Sequence, residues 1–176
     1  MMTNSTDFSK YSEIETLRDG RKIEIRATTP QDRDEMMKGI GRTSDKSLYR
    51  RFFSLKRGFS EKEVNYFMDI DFVKQVALAV VLEEAGRPII AGGRYVVFKP
   101  GCAELAFVVE DAYQGQGIGS KLMRHLIAIA RQTGLDELHA EVLPSNDSML
   151  KVFNKAGLVV STKRDQSTVH VTMKLS

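Results

Sequence analysis

The sequence is short of several features that would point to particular classes of protein. It contains one cysteine, Cys102, and no tryptophan. A single cysteine excludes an internal disulfide, and no cysteine or histidine run has the spacing of a metal site, so we expect no metal. No stretch approaches the ~20 apolar residues of a membrane-spanning helix, and residues 1–10 lack the apolar run of a signal peptide. These absences predict a cytoplasmic protein with no membrane partner.

Net charge is also low. The chain has 26 lysine and arginine residues against 23 aspartate and glutamate residues, a formal charge of +3. This excess is too small and too evenly spread for bulk binding of nucleic acid, so we expect no nucleic-acid partner. The 176 residues, 42% of them hydrophobic, fit one globular domain. We expect a flexible N-terminal segment over residues 1–16 and a single domain over residues 17–176.

Hydrophobic periodicity predicts an α+β domain with a mixed, mostly antiparallel central sheet. Strands with short turns between them indicate an antiparallel meander in the middle of the chain, and amphipathic helices with capping signals lie on both sides of it. The predicted strands are 21–26, 76–82, 89–98, 103–110, 138–143 and 168–174, and the predicted helices begin at 30, 47, 60, 118 and 147.

A glycine-rich loop, Gln114-Gly115-Gln116-Gly117-Ile118-Gly119, lies between a predicted strand and a predicted helix. At such a point the unpaired backbone N–H groups and the helix dipole form an anion site, and glycine lets the backbone approach a phosphate closely. The loop follows an antiparallel meander and lacks the Walker lysine, which argues against dinucleotide and P-loop folds. A pyrophosphate is the ligand that suits this loop.

The pattern Gln-x-x-Gly-x-Gly after a strand resembles the pyrophosphate loop of the GCN5-related N-acetyltransferase (GNAT) family, and the resemblance extends from about Leu17 to Leu175. It implies that acetyl-CoA is the co-substrate, with a splayed strand pair holding its pantetheine arm. Within the family the sequence is most similar to bacterial protein lysine acetyltransferases that modify acyl-CoA synthetases. The cofactor-binding residues implied by the resemblance are Phe107, Val108, Val109, Gln114, Gly115, Gln116, Gly117, Ile118, Gly119, Ser120 and Asn146.

Glu104 is the candidate catalytic base, because acetylation requires a proton to be removed from an ammonium group. The resemblance places it on the strand beside both substrates, and alternation puts it on the face of Ala106 and Val108, so we expect partial burial to raise its pKa. A solvated charge at a strand edge is the alternative. The family's general-acid tyrosine corresponds to Phe153, which leaves the proton donor open, and Glu110 or Glu141 could end a water chain.

The remaining polar residues favour no other chemistry. Cys102 has no histidine at a telling spacing, and we expect His125, His139 and His170 to be structural, with the last two isolated in strands. A basic and aromatic stretch, Ser47 to Phe53, could bind an acidic protein surface or could be an ordinary amphipathic helix. Three functions remain: acetylation of a protein lysine, acetylation of a small-molecule amine, and acyl-CoA binding without catalysis. The oligomeric state stays open.

Overall fold

A computed structural model describes residues 7–44, 60–165 and 167–175. Within them one open sheet has the strand order β1-β2-β3-β4-β5-β6-β8-β7, and every neighbouring pair is antiparallel except the parallel pair β5 and β6. This arrangement confirms the predicted α+β class. The strands are β1 Ser12–Thr16, β2 Lys22–Ala27, β3 Gln75–Leu82, β4 Ile89–Lys99, β5 Cys102–Val109, β6 Glu137–Val142, β7 Val159–Asp165 and β8 Thr168–Lys174.

The described helices begin where the sequence places capping residues. Ser60 accepts a hydrogen bond from the backbone N–H of Glu63, whose side chain accepts one in return from the N–H of Ser60. This capping box opens a helix, and the predicted helix starts at 118 and 147 are also present. The predicted helix over 47–53 lies outside the described residues. The helices are α1 Arg33–Gly41, preceded by a 3₁₀ turn at Pro30–Asp32, α2 Glu61–Met68, α3 Ile118–Gln132 and α4 Asp147–Asn154.

Two edge strands differ from the expectation. Residues 12–16, which the sequence analysis placed in a flexible segment, form β1 and pair with β2, while Phe8 just before them is only 6% exposed. β7 has no predicted counterpart and is largely exposed. Backbone pairing with a single neighbour holds each edge strand, and neither shows the alternating burial that would mark a strand in the sequence.

Helices cover the two faces of the sheet unequally. Helix α3 buries Leu122, Leu126 and Ile129 against the face that carries Ala103, Leu105 and Phe107 of β5. On the opposite face, α1 and α2 lie over β3, β4 and the end of β5 near Ala106 and Val108. We call this second side of the sheet the Glu104 face. No helix in the described ranges is long and apolar enough to cross a membrane.

Candidate active site

β5 and β6 separate halfway along β5. Their pairing joins Cys102 to Glu137, Ala103 to Leu138 and Glu104 to His139, whereas the pairing of β5 with β4 continues to Val109. After Glu104, therefore, the edge of β5 that faced β6 has no strand partner among the described residues. Backbone N–H and C=O groups on such an edge are open to bind an extended ligand.

The glycine-rich loop turns the chain from this strand into α3. Gly115 and Gly117 have φ angles of +80° and +83°, a left-handed conformation that residues with a side chain adopt only at a cost. Gly117 is the N-cap of α3, and the side-chain amide of Gln114 donates to the carbonyl of Val109 at 3.1 Å. The loop is thus fixed to the strand, and the first N–H groups of α3 remain available to an anion.

A cleft of about 320 Å³ opens between β5, the loop and α4. Ten of the eleven predicted cofactor residues line it. Gln116 does not, and its Oε1 atom is buried with no hydrogen-bond partner in the part of the chain that the structure describes. The lining residues are Arg18, Phe107, Val108, Val109, Tyr113, Gln114, Gly115, Gly117, Ile118, Gly119, Ser120, Asn146, Ser148, Met149, Lys151, Val152 and Lys155.

The charges on this cleft are all of one sign. Arg18, Lys151 and Lys155 line it, and none of its described lining residues is acidic. The guanidinium of Arg18 donates to the carbonyl of Gly115 at 3.1 Å, so the turn between β1 and β2 reaches the loop. Sequence reasoning missed these three residues. The spacing of Lys151 and Lys155, one helical turn apart, was the available signal, whereas nothing local predicted Arg18.

Asn146 has a structural part in addition to its place in the cleft. It is 8% exposed and is the N-cap of α4, where its Oδ1 accepts a hydrogen bond from the backbone N–H of Met149 at 3.4 Å. One residue therefore fixes the start of α4 and faces the cleft.

Glu104 lies at the last paired position before the strands separate, on the face opposite the buried side chains of Ala103 and Leu105. Its side chain is exposed and does not line the cleft. The expected partial burial is therefore wrong, because the part of the Glu104 face around this residue is not covered by any described helix. The two other carboxylates considered are already engaged: Glu110 pairs with Arg42 at 3.1 Å, and Glu141 accepts from Thr168 at 2.9 Å.

Phe153, at the position of the family's tyrosine, belongs to the core. It is 2% exposed, and its ring lies 6.1 Å from the ring of Phe107. A hydroxyl at this position would therefore point into apolar packing.

A second cavity, of about 100 Å³, lies between α1, α2 and the sheet. Its lining is mainly apolar and includes Met36, Ile40 and Val108, and Val108 also lines the cleft. Arg94 borders this cavity, and burial lowers its pKa to about 10. Its guanidinium donates to the carbonyl of Phe67 at 3.0 Å. The cavity is thus a mainly apolar space on the other side of β5 from most of the cleft, and its described lining includes two arginines, Arg33 and Arg94, and one carboxylate, Glu110.

The three histidines have different environments. His125 bonds to Tyr11 and, at 2.9 Å, to Glu15, which is the structural role expected of it. His139 and His170 are not isolated, because their rings are hydrogen-bonded at 2.9 Å across β6 and β8. Adjacent strands brought them together from positions that sequence spacing could not connect.

Comparison with known sequences identifies the fold. The profile of the acetyltransferase (GNAT) family matches residues 46–158, more than half of the chain. The chain belongs to the GNAT family. Family membership accounts for the separated strand pair and the glycine-rich helix start, and it makes the chain an acyltransferase domain.

Individual GNAT relatives agree with this assignment. Acetyltransferase PA5475 of Pseudomonas aeruginosa is 31% identical over 88% of this chain and 84% of its own length. Acetyltransferase Pat of Mycolicibacterium smegmatis is 34% identical over 81% of this chain, which spans only 43% of that larger protein. The crystal structure of the GNAT domain of S. lividans PAT superposes with a TM-score of 0.83 at 36% identity, covering 93% of this chain and 96% of that domain.

A structure of lower sequence identity shares the fold, and that structure contains acetyl-CoA. yncA of Salmonella typhimurium, described with acetyl-CoA as its cofactor, has a TM-score of 0.67 at 18% identity and covers 86% of this chain and 92% of its own.

Proposed function

We propose that this chain transfers the acetyl group of acetyl-CoA directly to an amine, and that the amine is a lysine side chain on another protein, such as an acyl-CoA synthetase. The observation that carries the proposal is the cleft, where a glycine-rich helix start, three cationic side chains and an unpaired strand edge face one space. Cations and free N–H groups suit phosphates, and a free strand edge suits the amides of a pantetheine arm.

Residues Gln114 to Ser120 would bind the pyrophosphate, with Arg18, Lys151 and Lys155 adding positive charge around it. The backbone of Phe107, Val108 and Val109 would hold the pantetheine arm, and Asn146 would contact it from the start of α4. Bound acetyl-CoA supplies the thioester. Its reactive end would lie toward the point where β5 and β6 separate, beside Glu104.

Glu104 would act as the general base. A lysine ammonium has a pKa of about 10.4, so near neutral pH one proton must leave before the nitrogen can attack. The carboxylate, directly or through a water molecule, accepts this proton. The new C–N bond forms as the C–S bond breaks, and the thiolate released takes up a proton from water or from the carboxyl group of Glu104. Because Phe153 is buried, we assign it no part in proton transfer.

A protein acceptor is supported by the exposure and charge of the Glu104 face. Glu104 is exposed, and Glu137 and Glu141 lie on the same face of the adjacent β6. Such a row of carboxylates would attract an ammonium group on a protruding loop. The single free cysteine supports a location in the cytoplasm. The basic and aromatic stretch from Ser47 to Phe53 lies outside the described residues and adds nothing here.

The second cavity favours one alternative, a small-molecule amine. An amine with an apolar body would fit against Met36 and Ile40, and a carboxylate on such a molecule could pair with Arg94. Val108 would then separate the acceptor from the cofactor. This alternative differs from the first proposal only in the acceptor, so one experiment distinguishes them.

The experiment incubates the protein with isotope-labelled acetyl-CoA and two acceptor fractions of a bacterial lysate, one macromolecular and one of small molecules. Mass spectrometry should find the label on lysine side chains in the first fraction. Label confined to small amines would establish the alternative. Binding of acetyl-CoA without transfer to either fraction would make the chain an acyl-CoA-binding module and contradict both.

A further inference from the structure

A row of hydrogen-bonded side chains crosses the Glu104 face on β6 and β8. The Nε2 atom of His139 lies 2.9 Å from Oε2 of Glu137, and its Nδ1 atom lies 2.9 Å from Nε2 of His170. Nδ1 of His170 in turn bonds to Oε1 of Glu141. We call these four residues the His–Glu row. It contains three contacts in sequence and ends at a carboxylate on each side.

The side chains of the His–Glu row have fewer hydrogens to donate than they have hydrogen-bonding contacts. An ionised carboxylate only accepts hydrogen bonds, and a neutral imidazole carries one N–H. Two neutral histidines therefore supply two hydrogens for three contacts. If His170 donates to Glu141 and His139 donates to His170, the lone pair on Nε2 of His139 faces the carboxylate of Glu137. In this arrangement two acceptors face each other at the Glu137 end, and a metal ion placed there would satisfy both of them.

Cys102 supplies a third donor at that end. Its thiol, the carboxylate of Glu137 and a ring nitrogen of His139 all lie within 4.8 Å of one another. Cys102 is paired with Glu137 across β5 and β6, so the backbone fixes the two side chains on one face. Cys102 is buried, whereas the side chain of Glu137 is 31% exposed, which gives an ion access from solvent.

We propose that Cys102, Glu137 and His139 bind a borderline-soft divalent cation such as Zn²⁺. Zinc takes sulfur, imidazole and carboxylate ligands at ~2.0–2.3 Å. Binding would therefore move the His139 nitrogen and the Glu137 oxygen, now 2.9 Å apart, slightly away from each other, and would draw the Cys102 sulfur toward both. The ion replaces the proton on the Cys102 thiol, which is released to solvent, and water completes the coordination.

The rest of the His–Glu row supports this assignment. Histidines that bind metals usually donate their other ring N–H to a carboxylate, which fixes the tautomer and turns the lone pair toward the ion. Here the carboxylate of Glu141 orients the ring of His170, and His170 in turn orients the ring of His139. His139 is also held edge-on by Phe98, with ring centroids 5.2 Å apart. The imidazole of His139 is therefore held in position before any ion binds.

The position of the site implies an effect on catalysis, and this part rests on the proposed function. His139 is the partner of Glu104 in the last pair of β5 and β6. A divalent charge beside Glu104 would repel the ammonium group of the acceptor and draw the carboxylate toward itself. Zinc at this site should therefore inhibit acetyl transfer.

The test is a titration of the reduced, chelator-treated full chain with CoCl₂, followed by absorbance. A thiolate-to-cobalt charge-transfer band that saturates at one ion per chain, and that ZnCl₂ abolishes, is the expected result. Cys102→Ser should remove the band, and His139→Gln should weaken cobalt binding by about 10-fold or more. The matched control is His125→Gln, which removes a histidine bonded to Glu15 elsewhere in the fold and should leave the titration unchanged.

Absence of the band in the wild type would overturn the proposal. Equal cobalt affinity in His139→Gln and His125→Gln would overturn it as well. The wild-type titration keeps the test valid even if a variant fails to fold. Activity is measured separately: if cobalt binds as expected but no acetyl transfer is found with or without chelator, the proposed function fails while the metal site stands.

Discussion

The two sides of β5 differ in how they are built. The cleft side is formed by a glycine-rich helix start, a second helix N-cap and three cations. Around Glu104 the other side carries side chains on the sheet itself, exposed or partly exposed, and joined by hydrogen bonds between strands. We infer that the cleft determines the affinity for acetyl-CoA and that the Glu104 face determines chemistry and acceptor choice.

The largest expected effect is that of Glu104→Gln. The amide keeps the shape but cannot accept a proton, so kcat should fall by about 10²–10⁴ with little change in KM for acetyl-CoA. Raising the pH toward ~10.4 should restore part of the rate, because solution then supplies neutral amine. Steady-state kinetics from neutral pH upward check this. The control is Glu13→Gln, which changes an exposed carboxylate on a different strand, β1. It should leave kcat and KM at their wild-type values.

Gly117→Val should act on the cleft side alone. A valine at φ +83° is strained, and its side chain would occupy the space in front of the helix start, 3.7 Å from the Nε atom of Arg18. We expect KM for acetyl-CoA to rise about tenfold or more, equivalent to roughly 1.4 kcal/mol of lost binding.

Gly134→Val is the matched control for Gly117→Val. Gly134 has a φ of +81° and no neighbouring atoms within 4 Å of an added Cβ. The Gly134→Val variant should lose a similar amount of stability, with an unchanged KM for acetyl-CoA. Equal KM values for the two variants would remove the loop from the account of binding.

A smaller effect is expected from the double change Lys151→Gln and Lys155→Gln. Each lysine lines the cleft near the expected phosphates, and an exposed charge contributes about 0.2–1 kcal/mol. KM for acetyl-CoA should rise by about two- to tenfold at low salt, and the difference should shrink as ionic strength increases. Lys163→Gln on β7 serves as the control. A lower kcat with constant KM would show that these residues act on chemistry instead.

Phe153→Tyr should have the smallest effect on the rate. Its ring is 2% exposed and packs near Phe107, so an added hydroxyl would lose hydrogen bonds to water and lower stability by about 1–3 kcal/mol. The kcat measured below the lowered melting temperature should equal that of the wild type. A clear increase in kcat would show that proton delivery to the thiolate limits the reaction.

The same comparison explains which features the sequence could predict. The loop, α3 and α4 have capping residues, glycines and helical periodicity close together in the chain, so the cleft residues could be named before the fold was seen. The side chain of Gln116 lies outside the cleft, because a loop pattern does not say which side chains turn inward.

The Glu104 face was harder to predict, because strands distant in sequence assemble it. The contact of His139 with His170, and the approach of Cys102 to both Glu137 and His139, depend on the order β5-β6-β8. The proposed metal site therefore had no local signal in the sequence. The exposure of Glu104 likewise depends on which helices cover the sheet, which alternation along one strand cannot reveal.

The most direct test of the account is calorimetric titration of acetyl-CoA into the wild type, Gly117→Val and Glu104→Gln under one set of conditions. The account predicts that the wild type and Glu104→Gln bind with the same Kd, and that Gly117→Val binds at least about tenfold more weakly. Equal weakening in both variants would mean that the two sides of β5 form one binding surface. An absence of binding by the wild type would contradict the central claim that this cleft holds acetyl-CoA.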